Sequence, residues 1–135
     1  MGGMRLFACR NWCTFFLFRA TQAKKEKTMK FLSGSEAKMQ ELSGGVKRKV
    51  LVHNEDMMMV EVHFQQGGVG SVHTHPHLQA TYIVSGSFEF ENDGEKRIVN
   101  QGDSLLFASN VKHGVVCLEA GVVLDVFSPM RKDFL

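Results

Sequence analysis

Residues 73–90 read HTHPHLQATYIVSGSFEF and join a cluster of histidines to a run rich in β-branched and aromatic residues. Such a composition favours β-strands. On an extended strand over residues 72–77, His73, His75 and His77 would face one way, because successive side chains point to opposite faces. The two imidazoles of His73-x-His75 are therefore expected to point at one place.

Short β-type runs fill the rest of the chain from residue 46 onward. Gly86-Ser87 is expected to form a tight turn and Asn92-Asp93-Gly94 a hairpin turn, since Gly and Asn tolerate a positive φ. No stretch after residue 49 has sustained helical periodicity, so the pattern predicts an all-β sandwich or barrel. The predicted strands are 46–52, 57–64, 72–77, 80–85, 88–91, 96–99, 104–107, 115–118 and 122–127.

Length and composition predict a single cytoplasmic domain. A chain of 135 residues has the length of one domain. With 16 basic and 14 acidic residues, it shows no charge excess that would suggest nucleic acid or a membrane surface as a partner. The cysteines, Cys9, Cys13 and Cys117, are odd in number and lack paired metal spacing. We therefore expect no structural disulfide and a reducing compartment.

Residues 1–28 differ in character from the remainder. Apolar and aromatic residues are broken by arginines and followed by a lysine-rich stretch. The uninterrupted apolar run 13–18 is too short for a signal peptide or a membrane span. We expect residues 1–28 to be an extension outside the fold and residues 29–135 to form the domain.

Four side chains are candidate ligands of one divalent metal ion. His73 and His75 share a strand face, and Gln79 can swing its side-chain oxygen to the same point if the chain turns at Pro76. His113, on a later strand, can add a third imidazole from across a barrel. Three imidazoles and one oxygen suit zinc, nickel, iron, cobalt or manganese. The alternative, scattered surface histidines, is disfavoured because three of the six histidines lie within HTHPH.

These residues also fall into two spaced motifs that resemble those of the cupin superfamily. The resemblance covers residues 29–135 and implies a double-stranded β-helix, or jelly-roll barrel, that forms a homodimer. Gln79 stands where glutamate is usual, and a neutral amide should leave the ion a stronger Lewis acid. Ala108 and Asn110 replace the usual proline and glycine, and Cys117 the usual asparagine. The motifs are Gly67-x5-His73-x-His75-x3-Gln79-x6-Gly86 and Gly102-x5-Ala108-x-Asn110-x2-His113.

A narrower resemblance concerns the KdgF branch of the cupins. The runs MMMVEVHF, HTHPHLQATYIVSGSFEF and LDVFSPMRKDFL are similar to that branch. It implies ring opening of unsaturated uronate monosaccharides from pectin or alginate breakdown to a linear keto acid, an isomerase-like or tautomerase-like activity. The metal ligands it implies are His73, His75, Gln79 and His113. The functional residues it implies near the C-terminus are Asp125, Phe127 and Arg131.

The chemistry of these three side chains agrees with a small uronate substrate. Asp125 can act as general base and then general acid, and an unpaired acid among apolar strand residues needs a reason. Phe127 shares its strand face and would form a pocket wall. Arg131 offers a planar fork for a carboxylate. The alternatives are a structural carboxylate at Asp125, a core ring at Phe127 and a solvated charge at Arg131.

Two other functions remain open from the sequence. One is a metal-dependent dioxygenase on the same barrel, and the other is a non-catalytic sugar-binding cupin. An acid together with a carboxylate fork favours uronates over both. His77 is expected to contact substrate or to support a ligand, whereas His53 and His63 are expected to be structural or exposed.

Overall fold

The structure is a computed structural model that describes residues 29–135. The all-β prediction is confirmed, with each strand antiparallel to its neighbours and one short 3-10 helix near the end. The elements are β1 (Met39–Glu41), β2 (Val46–His53), β3 (Met58–Phe64), β4 (Val69–His73), β5 (Leu78–Asn92), β6 (Glu95–Asn100), β7 (Ser104–Phe107), β8 (His113–Ser128) and the 3-10 helix (Lys132–Phe134).

The predictions for the N-terminal extension and for two of the three cysteines cannot be compared with this structure. The extension predicted at residues 1–28 lies outside the described residues, as do Cys9 and Cys13. Cys117 is buried and has a free thiol. Within residues 29–135, no helix has the length and apolar character needed to cross a membrane.

Two long strands, β5 and β8, organise the barrel. They pair with each other over most of their length. The first part of β5 also pairs with β7 and its last part with β6. Similarly, β8 pairs first with β4 and later with β3, which continues through β2 to β1. Within this eight-stranded sheet, each of the two long strands therefore changes partners along its length, with register shifts between Ile83 and Phe88 where β5 pairs with β8.

The predicted turn at Gly86-Ser87 is wrong, because both residues lie inside β5. Gly86 does have the positive φ that suggested a turn, +85°. Its role is instead a close approach: a Cβ there would lie 2.6 Å from the carbonyl oxygen of Glu119 in β8. The predicted strands 115–118 and 122–127 likewise form one strand. The hairpin turn is confirmed, with φ of 48° at Asp93 and 88° at Gly94.

The predicted strand 72–77 is also partly wrong. β4 ends at His73, and the chain bends at Pro76 and His77 before β5 begins. Proline cannot donate a ladder hydrogen bond, which favours leaving the strand at this point. The expected bend at Pro76 is thus present, whereas His75 is presented by a loop.

The core lies on the inner face of the barrel. Alternation in β3 buries Met58, Val60 and Phe64 and leaves the opposite side chains less buried. Asp125 is on the same inner face, since it pairs with Val60 of β3 on one side and Thr81 of β5 on the other. Strand register therefore places a carboxylate in the interior of the barrel.

Candidate metal centre

The four predicted ligands come from three strands and one loop. His73 is the last residue of β4 and His113 the first of β8, and the two are paired in register. Gln79 is the second residue of β5. His75 lies in the loop between β4 and β5. Its backbone carbonyl oxygen accepts a 2.8 Å hydrogen bond from the backbone N–H of Asn110, which fixes this part of the loop.

Asn110 shows why the second motif tolerates a departure from glycine. Its φ is +63°, in the left-handed region where glycine is favoured and asparagine is the best-tolerated substitute. The change from the usual glycine therefore preserves the turn.

The structure brings all four candidate ligands together. His73, His75 and His113 each place one ring nitrogen within 4.8 Å of the others. The side-chain oxygen Oε1 of Gln79 lies 3.0 Å from Nε2 of His75 and 3.2 Å from Nε2 of His113. His75, Gln79 and His113 are buried, and His73 is exposed.

Hydrogen bonds fix the orientation of the three imidazoles. Nδ1 lies 2.7 Å from the carbonyl oxygen of Ser71 in His73, 3.1 Å from that of His77 in His75, and 2.9 Å from that of Val111 in His113. A carbonyl oxygen only accepts, so each Nδ1 carries the proton. Burial is the main cause that lowers the pKa of His75 and of His113, which favours neutral rings with an unprotonated Nε2.

The amide of Gln79 completes a set of acceptors with no donor. Its Nε2 donates to Thr81 Oγ1 and to Asp125 Oδ1, both at 3.1 Å, so Oε1 must face the histidines. Lone pairs on Oε1 and the facing imidazole nitrogens then converge. One cation can satisfy all four of these acceptors, whereas one water molecule can donate to only two of them. The residues present therefore fit one divalent transition metal ion.

Asp125 is held directly beside the ligand Gln79. Its Oδ1 accepts hydrogen bonds from Gln79 Nε2 and from Thr81 Oγ1. Within residues 29–135, no hydrogen bond engages Oδ2. Burial raises the pKa of Asp125 to about 6, against the opposing effects of these hydrogen bonds and of the charge on Arg131. The carboxyl group is thus anchored by one oxygen and free at the other.

Phe127 and Arg131 lie on the same side of the centre. Phe127 is buried, and its ring centroid is 5.6 Å from that of His75. The guanidinium carbon of Arg131 lies 5.4 Å from the Phe127 centroid. Arg131 donates from Nε and Nη2 to the carboxylate of Asp133, at 3.0 and 2.8 Å. Asp133 therefore occupies the guanidinium edge formed by Nε and Nη2. The other edge, formed by Nη1 and the second N–H of Nη2, remains available to bind a carboxylate.

A cavity of about 160 Å³ connects these groups. Its walls combine polar side chains of the site with apolar residues of the core, such as Val62, Phe90 and Val123. The site residues that line it are His73, Gln79, His113, Asp125, Phe127 and Arg131.

The other histidines are not among the clustered ring nitrogens, although the backbone carbonyl of His77 accepts the hydrogen bond from His75 Nδ1 and so supports that candidate ligand, as expected. His77 has a buried Nδ1 with no hydrogen-bond partner among the described residues, and it lines a separate cavity with Glu55 and Asp133. His63 bonds to Glu61 on the outer face of β3. These positions agree with the structural role expected for His63, whereas a substrate contact by His77 stays a prediction.

Sequence reasoning missed two groups that shape the site. Thr81 donates a hydrogen bond to Asp125 and lies two residues after Gln79 on β5, so both side chains point to the same face. That shared face was the available sequence signal. Phe134 gave no comparable signal, because it packs against Phe127 from the 3-10 helix, with ring centroids 5.7 Å apart.

Comparison with known proteins agrees with this geometry. Residues 60–127 match the family model for the cupin domain. Over 108 residues the chain is 45% identical to the pectin degradation protein KdgF of Dickeya dadantii, covering 78% of this chain and 98% of that protein.

Two solved structures are similar in both sequence and fold. KdgF from Halomonas sp. is 41% identical with a TM-score of 0.76, covering 80% of this chain and 100% of that one. An RmlC-like cupin from Shewanella frigidimarina is 37% identical with a TM-score of 0.76, covering 80% and 97%. The motifs, the barrel and these similarities together show that the chain belongs to the cupin family, in its KdgF branch.

Proposed function

We propose that this protein opens the ring of 4,5-unsaturated uronate monosaccharides from pectin or alginate breakdown, giving the linear keto acid. The reaction is of isomerase or tautomerase type. The 45% identity of the chain to a protein named for pectin degradation supports uronates as the substrate class. The observation that carries the proposal is the position of Asp125, a buried carboxyl beside Gln79 with one oxygen anchored and the other free.

Asp125 has two proton transfers to perform in this reaction. Its Oδ2 first takes the proton of the anomeric hydroxyl, the bond from the anomeric carbon to the ring oxygen breaks, and an aldehyde forms. The electron pair of that bond stays on the ring oxygen, which becomes an enolate. Asp125 then returns the proton to the neighbouring carbon of the double bond, and the enolate becomes a ketone. One carboxyl group thus acts as base and then as acid.

The other groups bind the substrate and stabilise charge. His73, His75, Gln79 and His113 would hold the metal ion, which when bound stabilises negative charge developing on nearby oxygen atoms. Phe127 forms an apolar wall of the cavity that Asp125 also lines. Arg131 offers its remaining guanidinium end to the uronate carboxylate.

The test is direct incubation with an unsaturated galacturonate monosaccharide. Wild-type protein supplied with zinc, nickel, iron, cobalt or manganese should remove the ultraviolet absorbance of the conjugated double bond faster than the spontaneous rate. Protein stripped of metal by a chelator serves as the control. No acceleration with any of the five ions would contradict the proposal, and oxygen uptake would then test the dioxygenase alternative.

A further inference from the structure

Arg48 is a cation on the inner face of β2. It pairs with Val62 of β3, which pairs in turn with the buried Val123 of β8, so the three side chains lie in one inner row. Its neighbours in sequence, Lys47 and Lys49, point outward and pair with acidic residues. A charge directed into a barrel interior is costly unless something binds it.

The guanidinium groups of Arg48 and Arg131 both lie near the aromatic ring of Phe134. The guanidinium carbon lies 3.8 Å from the Phe134 centroid for Arg48 and 4.3 Å for Arg131. Both distances are within cation–π range. Burial lowers the pKa of Arg48, Asp133 opposes this effect, and the positive charge of Arg131 adds to it. Two like charges are thus held close together at one end of the cavity.

The charges around this ring do not cancel. Asp133 accepts two hydrogen bonds from Arg131 and offsets one positive charge. Arg48 donates from Nε to the neutral Gln40, at 2.8 Å. Within residues 29–135, no carboxylate lies at salt-bridge distance from Arg48, and no hydrogen bond uses its Nη atoms. One positive charge with a free guanidinium end is left over.

This surplus charge faces the site already described. Arg48 lines the same cavity as Asp125, Arg131 and the ligand His113. We propose that Arg48 is a substrate-binding residue that recognises the carboxylate of the uronate, together with the end of Arg131 that Asp133 leaves free. The inference rests on the proposed function for the identity of the sugar. It adds that β2, through Arg48, contributes to the selection of a charged over a neutral sugar.

The experiment compares metal-loaded wild-type protein with Arg48→Gln, Arg48→Lys and the control Arg97→Gln. Arg97 is exposed on β6 and lines a different cavity. Calorimetry gives the affinities for galacturonate and for its neutral amide, galacturonamide. Wild-type and Arg97→Gln protein should prefer galacturonate by at least about tenfold, as expected for charge-assisted hydrogen bonds. Arg48→Gln should lose most of that preference and show a matching rise in KM for the unsaturated uronate.

The lysine variant guards against a folding defect. Arg48→Lys keeps the charge without the planar fork and should retain part of the preference. An unchanged preference in folded Arg48→Gln, or no preference in wild-type protein, would overturn the inference. Wild-type protein that selects galacturonate through Arg48 but leaves the double bond intact would instead overturn the proposed function alone.

Discussion

Gln79 faces two parts of the site with the two ends of one amide. Its oxygen points to the histidines, and its nitrogen donates to the carboxylate of Asp125. Glutamate, the usual residue of the motif, could not make that donation and would place a second negative charge beside Asp125. The glutamine therefore joins the candidate metal centre to the proposed proton-transfer group, which the sequence alone did not reveal.

Replacing Asp125 with asparagine tests the proton-transfer role. The oxygen of asparagine can still accept from Gln79 and Thr81, so metal content and substrate affinity should be retained. Loss of the base and acid should lower kcat about 10²–10⁴-fold. Steady-state kinetics on the unsaturated uronate, with metal content measured by atomic absorption, checks both expectations.

Arg131→Ala is the matched comparison for Asp125→Asn. If Arg131 grips the carboxylate equally in ground and transition states, this variant should raise KM more than it lowers kcat. A fully active Asp125→Asn protein together with an inactive Arg131→Ala protein would mean that the two roles are exchanged.

His75→Ala should give a folded protein with little bound metal. The substitution removes a buried ligand whose Nε2 faces Gln79. Metal analysis of the purified variant, with its thermal unfolding as a check on folding, makes the measurement. His53→Ala is the control, since His53 lies outside the cluster. Undiminished metal in the His75 variant would contradict the ligand assignment.

At the scale of the elements, short-range sequence patterns predicted which side chains share a strand face, but they did not predict where the strands end. The proximity of the candidate ligands His73, His75 and Gln79 could be predicted because their spacing is local. The shared strand face of Asp125 and Phe127 could be predicted because residues two apart on a strand point the same way. The row that joins Asp125 to Val60 and Thr81 depends on register between distant strands. No local pattern contains that register, so the partners of Asp125 and the inward position of Arg48 were missed.

Gly86 illustrates how a local signal can have a long-range cause. Its positive φ is real, but its lack of a side chain is needed because β8 passes against it. Gly94 is a matched control, with a φ of +88° and open space around its Cα. Gly86→Ala should therefore destabilise the fold by about 1–3 kcal/mol more than Gly94→Ala, since only the former adds overpacking. Urea unfolding of both variants measures the difference, and equal losses would contradict the close-approach argument.

At the scale of the whole molecule, among residues 29–135 every strand and every candidate site residue lies between residues 39 and 134. A chain that starts at Met29 should therefore keep its melting temperature, metal content and turnover nearly unchanged. Comparing thermal unfolding and kinetics of this shortened chain with the full chain makes the test. A large loss in either would show that residues 1–28 pack on the barrel or complete the site. The expected homodimer and cytoplasmic location stay predictions.

The three hydrogen bonds from imidazole Nδ1 to backbone carbonyls have a consequence for the entropy of metal binding. Each one restrains a ring that would otherwise rotate, and ordering a side chain on binding typically costs about 0.5–1.5 kcal/mol. Because the rings of His73, His75 and His113 are already ordered in the folded protein, binding of an ion would lose little further side-chain entropy. The barrel is thus preorganised for the expected ion, which would meet its candidate ligands already in place.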